Sequence, residues 1–266
     1  MIKTDIQNLL SREQIEFYIN NGFVKIDNVL SKNDLTELQS IINDAMEAPA
    51  NLSVQTDKKG GAYYRVLNQK VNLWRDHQGI AKFVLDSKLA SIALKLSGSD
   101  GIRLFHDHAL FKMPGDSKPT PWHQDFPYWP MNREAGKKAL SIWIALDDVD
   151  ETNGCMKFLP ESHRIENLKP INLAEPANIF EQSSSVAIPK NSPVTIRMKA
   201  GSCTFHHGLT FHFAHSNTTD KPRRALVIIY MPDGTTFNGK NHIITDGLNL
   251  QKDERLQGEL FPLLAK

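Results

Sequence analysis

Pro121-Trp122-His123-Gln124-Asp125-Phe126 is the stretch on which the reading of this chain turns, taken with Phe211-His212-Phe213-Ala214 far downstream. His123 and Asp125 stand two residues apart, so on an extended strand both side chains point to one face of a sheet. A second imidazole from another strand, His212, completes a set of two nitrogens and one carboxylate oxygen. Such a facial triad suits Fe(II) and leaves neighbouring coordination positions open. An H-x-D pair by itself is weak, because it arises often by chance; the surrounding residues have to carry the argument.

Working outward, the chain from Gly101 onward reads in period two. In Leu140 to Leu146 the alternation is clearest: Leu140, Ile142, Ile144 and Leu146 are aliphatic, while Ser141, Trp143 and Ala145 form a mixed face that suits a pocket wall. Positions 102, 104, 106, 108, 110 and 112 are expected to share a face in the same way. Further strands are predicted at Cys155 to Leu159, Val194 to Met198, Ser202 to His206, His212 to Ala214 and Arg224 to Met231. Short strands separated by Gly, Pro and Asn turns predict a sandwich or barrel. Upstream, Ser11-Arg12-Glu13-Gln14 reads as a capping box for a helix ending near Gly22, and Ser31 opens a second helix. A third starts near Asp86 and ends at Gly98. The fold class is therefore mainly β with N-terminal helices. The organisation is one domain over residues 1–266, with a helical elaboration over about 1–100, a barrel core over about 101–232 and a tail over 233–266 wrapping back on the barrel. The polar segments from Glu47 to Ala62 and from Pro160 to Pro193 are expected to act as lids.

Composition excludes several classes. A formal net charge of +1 and the short Lys221-Pro222-Arg223-Arg224 cluster give no nucleic-acid or membrane-surface patch. No apolar run approaches the ~18 residues of a membrane span, and the charged first turns give no signal peptide. Cys155 and Cys203 lie in no C-x-x-C motif and read as free thiols of a reducing compartment. The expectation is a soluble, cytoplasmic protein acting on a small molecule.

Trp122-His123-Gln124-Asp125, Tyr128-Trp129-Pro130, Trp143-Ile144-Ala145-Leu146-Asp147-Asp148, Asn153-Gly154-Cys155 and Pro160-Glu161-Ser162-His163 closely resemble the phytanoyl-CoA dioxygenase family. The distal match is Phe205-His206-His207-Gly208-Leu209-Thr210-Phe211-His212, followed by Asn217 and Arg223. The resemblance implies a double-stranded β-helix (a jelly roll), with Fe(II), 2-oxoglutarate as co-substrate, and O2. It implies that His123, Asp125 and His212 hold the metal and that Arg223 pairs with the distal carboxylate of 2-oxoglutarate, as a bidentate guanidinium fork can. Lys70, His108 and Trp143 fall where the family lines the co-substrate pocket. Ala214 stands where the family often has a serine reaching 2-oxoglutarate, so a hydroxyl is missing there. Gln124, Phe126, Tyr128 and Trp129 flank the metal and face either substrate or packing. A carboxylate at Asp125, where related halogenases have a small residue, implies hydroxylation or another oxidation of a small molecule, with release of succinate and CO2.

Other histidines have plainer readings. His206 would need a different strand register to ligate and reads as a structural histidine. His106 and His108 read as pocket-lining or structural, and His163 and His242 as surface residues. Arg224 has the wrong parity for the pocket and reads as solvated. Two other classes stay open: a jelly-roll metal enzyme that does not use 2-oxoglutarate, and a ligand-binding barrel without turnover.

Overall fold

Ser11 opens helix α1 (Arg12–Asn21) with a capping box, its hydroxyl accepting from Gln14 N while Gln14 reaches back to Ser11 N. Gly22 ends the helix at a left-handed φ of 82°, which a residue without Cβ adopts freely. The computed structural model describes residues 10–55, 67–114, 118–166 and 191–266. Strand β1 (Phe23–Ile26) leads into α2 (Lys32–Glu47), capped by Ser31. Two short strands, β2 (Val54–Gln55) and β3 (Leu67–Val71), are followed by α3 (Gln78–Val84), which the periodicity did not single out, and α4 (Ser87–Ser97). Asp86 caps α4 by accepting from Lys88 N and Leu89 N, and Gly98 ends it at φ 59°. Most of the two segments expected to act as lids lies outside the described residues.

The barrel strands are β4 (Ile102–Lys112), β5 (Thr120–His123), β6 (Leu140–Ala145), β7 (Met156–Phe158), β8 (Val194–Ile196), β9 (Cys203–His207), β10 (His212–Ala214), β11 (Arg223–Pro232) and β12 (Leu263–Ala265). They form two antiparallel sheets. The larger runs β1-β9-β6-β11-β4-β3-β2, with β12 on β4, and the smaller runs β5-β10-β7-β8. This is the jelly roll. Two cores result. On the outer face of the large sheet, Leu140, Ile142, Ile144, Leu226 and Ile228 pack beneath α2, α3 and α4. On its inner face, Trp143, Val227 and Ile229 meet Met156 and Phe158 of the small sheet. The split along β6 is the one its alternation predicts.

The alternation expected through β4 breaks in one place. Ile229 pairs with His106 and Tyr230 with Leu104, so Phe105 has no partner on β11. This β-bulge turns the strand by one residue. Ile102 and Leu104 pack outward under the helices, whereas Phe105 joins the inner core. His106 and His108 face the cavity beyond it. The tail does return over the barrel: β12 pairs with β4, and Asn241, His242 and Ile243 reach the mouth of the inner cavity.

Candidate active site

Pairing of β5 with β10 sets His123 and His212 directly opposite one another, their ring centroids 4.1 Å apart. Each ring is oriented by a carbonyl two residues back in its own chain. Nδ1 of His123 lies 2.7 Å from Pro121 O, and Nδ1 of His212 lies 3.0 Å from Thr210 O. A ring nitrogen facing a carbonyl must donate, so Nε2 keeps its lone pair in both rings. That is the tautomer a metal ligand needs. Burial, with His123 beside it, pushes His212 down to about 3, so its imidazole is neutral.

Asp125 reaches the pair by a route the alternation did not predict. β5 stops at His123, and Asp125 has helical backbone angles, opening a short 3-10 turn over Phe126–Tyr128. The turn swings the carboxylate round so that Oδ1 lies 3.5 Å from Nε2 of both histidines. The ligand atoms of His123, Asp125 and His212 all lie within 4.8 Å of one another. The second oxygen, Oδ2, accepts from Ser141 Oγ at 3.2 Å and lies 3.4 Å from His206 Nε2. Burial alone would raise Asp125, but His212, His123 and His206 outweigh it and hold the carboxyl well below its ordinary range. Two imidazole nitrogens and one carboxylate oxygen, open on the cavity side, are a donor set that fits Fe(II).

The cavity between the sheets has a volume of about 590 Å³. Its far wall carries Arg223, which is 1% exposed. The guanidinium carbon lies 5.1 Å from the Trp143 ring, and Nε and Nη1 have no hydrogen-bond partner. Burial lowers Arg223 to about 10, which leaves it cationic at neutral pH. An unpaired buried guanidinium costs several kcal/mol (roughly 3–5) when its partner is missing, so this end of the cavity fits an anion.

His108, Trp143, Ala214, Tyr128 and Trp129 line this cavity. Three residues do not. Lys70 is fully buried on the outer face, its Nζ donating to Ala45 O and Ala48 O at the end of α2, each at 2.8 Å. Its neighbours Gln69 and Val71 have the inward parity and take the wall instead. Gln124 also turns away, its amide donating to Leu209 O at 2.7 Å and Ile165 O at 2.9 Å. Phe126 faces a separate cavity of about 270 Å³, because the 3-10 turn points it over Gly136 and Gly208.

Packing revises the readings of His242 and Arg224, fixes the parity of His206, and adds Thr120, which the alternation did not single out. His206 stands opposite Ser141 across β9 and β6, on the inner face, against the carboxylate. The outward Phe205 beside it was the available signal for that parity. His242 is not a surface residue: its ring lies 5.9 Å from that of His106 on the cavity wall, and burial lowers it to about 4. Nothing in the aperiodic tail could have shown this. Arg224 has the outward parity expected but is not simply solvated, since it grips Asp147 with two bonds of 2.7 and 3.1 Å. Thr120 lies opposite Ala214 and lines the cavity, placing a hydroxyl beside the methyl group.

Comparison with known proteins agrees with this geometry. The family model described as phytanoyl-CoA dioxygenase (PhyH) matches residues 18–225. The peroxisomal phytanoyl-CoA dioxygenase of Rattus norvegicus is 27% identical over 240 residues, covering 84% of this chain and 69% of that protein. The crystal structure of SnoK, a non-heme alpha-ketoglutarate-dependent carbocyclase from nogalamycin biosynthesis, superposes with a TM-score of 0.79 at 28% identity, over 98% of this chain and 99% of that one. The epimerase SnoN, solved with Fe3+, alpha-ketoglutarate and nogalamycin RO, gives 0.78 at 29% identity, over 95% and 97%. The chain thus belongs to the phytanoyl-CoA dioxygenase family of iron- and 2-oxoglutarate-dependent dioxygenases.

Proposed function

We propose that the protein hydroxylates, or otherwise oxidises, a small organic molecule bound beside His123, Asp125 and His212, converting 2-oxoglutarate and O2 to succinate and CO2. One observation supports this above the others. The His-Asp-His cluster and the Arg223 guanidinium, whose Nε and Nη1 have no hydrogen-bond partner, line the same cavity, metal-binding donors and a buried cation together as a 2-oxo diacid needs. Iron and 2-oxoglutarate, when bound, supply the oxidising chemistry; the chain's own residues orient, enclose and hold charge. His123 and His212 present their Nε2 atoms, with Nδ1 of each ring turned to a backbone carbonyl. Ser141 and His206 occupy the second oxygen of Asp125, leaving Oδ1 for the metal. Arg223, stacked near Trp143, takes the distal carboxylate. The substrate would occupy the part of the cavity lined by Tyr128, Trp129, His106, His108 and His242.

These imidazoles are held neutral by burial, His106 well below its ordinary value and His108 and His242 at about 4. They offer hydrogen bonds without charge. The solved SnoN complex, with nogalamycin RO bound, supports including nogalamycin-type compounds among the substrates to test. The experiment is succinate release by the iron-loaded protein across a substrate panel, with 2-oxoglutarate binding measured alongside. Substrate-stimulated succinate is the expected result. Failure to bind 2-oxoglutarate at all would overturn the reading.

A further inference from the structure

Among the buried charged groups that the mechanism leaves unused is Lys112, the last residue of β4. It is fully buried, and it is the cross-strand partner of Arg223, so both side chains lie on the inner face. The two stems share one gap. A Cβ on Gly154 would lie 2.9 Å from Lys112 Cδ and 3.6 Å from Arg223 Nε, and 2.8 Å from His215 O. Gly154, at φ 102°, is the residue that leaves this room. Lys112 Nζ donates to Lys118 O at 3.1 Å, to Ala214 O at 3.2 Å and to His215 O.

Three carbonyls take the three hydrogens of an ammonium; a neutral amine has only two to give. These carbonyls belong to the approach to β5 and the end of β10, the strands that carry His123 and His212. Among the described residues no carboxylate lies within ion-pair distance of Lys112, and the nearest acid to Arg223, Asp147, is engaged by Arg224. Burial, with Arg223 beside it, lowers Lys112 to about 6, so at neutral pH the ammonium needs a nearby anion to keep its third proton. A neutral side chain would fill the same space without setting a second cation beside the first. A doubly charged occupant offsets both cations at once.

We propose that Lys112 is a positioning residue for the co-substrate: an ammonium behind Arg223, held charged by a bound dianion, that selects a 2-oxo diacid over a 2-oxo monoacid. This rests on the reading that 2-oxoglutarate binds at Arg223. The role is electrostatic and indirect, since Lys112 stands behind the lining and ties the strands that frame it.

The test is calorimetric binding of 2-oxoglutarate and of 2-oxobutyrate, which has the same 2-oxo acid head and a methyl end, to anaerobic Fe(II)-loaded protein. Wild type is expected to prefer 2-oxoglutarate. Lys112→Met is expected to weaken 2-oxoglutarate on the order of tenfold and to leave 2-oxobutyrate within about twofold, while Lys112→Arg keeps the preference. If thermal melting shows Lys112→Met unfolded, Lys112→Gln, which keeps N–H donors but no charge, is measured in its place. Equal weakening of both acids means a strand tie only and overturns the inference, as does no change in either. A wild type that binds the two acids alike overturns the proposed function as well, which separates the two failures.

Discussion

Asp125 is the residue on which three histidines and a serine converge, and it sits on an open cavity wall and not in a packed core. Asp125→Ala is therefore expected to abolish succinate formation while leaving the melting temperature within a few degrees, read by turnover assay and calorimetry. Adjacent arginines should separate cleanly. Arg223→Ala removes the one group matched to the distal carboxylate, a loss of roughly 3–5 kcal/mol, and should raise the 2-oxoglutarate KM by more than about a hundredfold. Arg224→Ala should leave that KM unchanged but cost stability. The Asp147 pair is partly buried and doubly bonded, so roughly 1–2 kcal/mol is expected, between exposed ion pairs and charged hydrogen bonds. At Ala214 the missing serine hydroxyl suggests that Ala214→Ser would tighten 2-oxoglutarate. Thr120, across the strand pair, already brings a hydroxyl to that wall. Ala214→Ser should then shift KM less than about twofold, whereas Thr120→Val should raise it on the order of tenfold, the value of a hydrogen bond to a charged group.

At the scale of elements, the turn after β5 decides the site. It ends the strand at His123, throws Asp125 back toward both histidines, and sends Phe126 and Trp129 onto two glycines. A Cβ at Gly208 would lie 2.7 Å from the Trp129 ring, and one at Gly136 would lie 2.4 Å from the Phe126 ring. Gly208→Ala must displace Trp129 from the cavity wall. Overpacking of this kind costs about 1–3 kcal/mol. The expected result is a lower melting temperature together with changed tryptophan fluorescence, and unchanged spectra would show that the ring does not depend on that glycine. The bulge at Phe105 works in the same local way: by shifting one residue it places Phe105 in the inner core and His106 on the cavity wall.

Across the whole molecule, the price of two cores around one cavity is a set of histidines held neutral. Burial lowers His108, His163 and His242 to about 4, against an unfolded value near 6.5. Below that value the unfolded chain takes up protons that the folded chain refuses. Stability is therefore fully present above about pH 6.5 and is lost as pH falls toward 4. A loss on the order of 3 kcal/mol over that window would lower the melting temperature by roughly 6–12 °C. Calorimetry from pH 7.5 to 4.5 checks this, with a flat profile as the contrary result.

Much of this architecture is written in short-range pattern. Ser11 and Ser31 as caps, Gly22 and Gly98 as stops, and the two-faced alternation of β6 follow from backbone hydrogen bonding and side-chain period, which neighbouring residues alone control. That His123, Asp125, His212 and Arg223 would gather on one cavity was legible too, because their chemistry is unusual and their order along the chain is distinctive. What only the tertiary structure decided is where each lone side chain faces. Lys70 and Gln124 found backbone carbonyls away from the cavity, His206 met Asp125 across β6, and His242 arrived from an aperiodic tail. A bulge or a 3-10 turn reverses parity by one residue, and nothing local marks it; the choice is made where sheets meet, by which carbonyl or carboxylate stands within reach of a buried polar atom that must be satisfied.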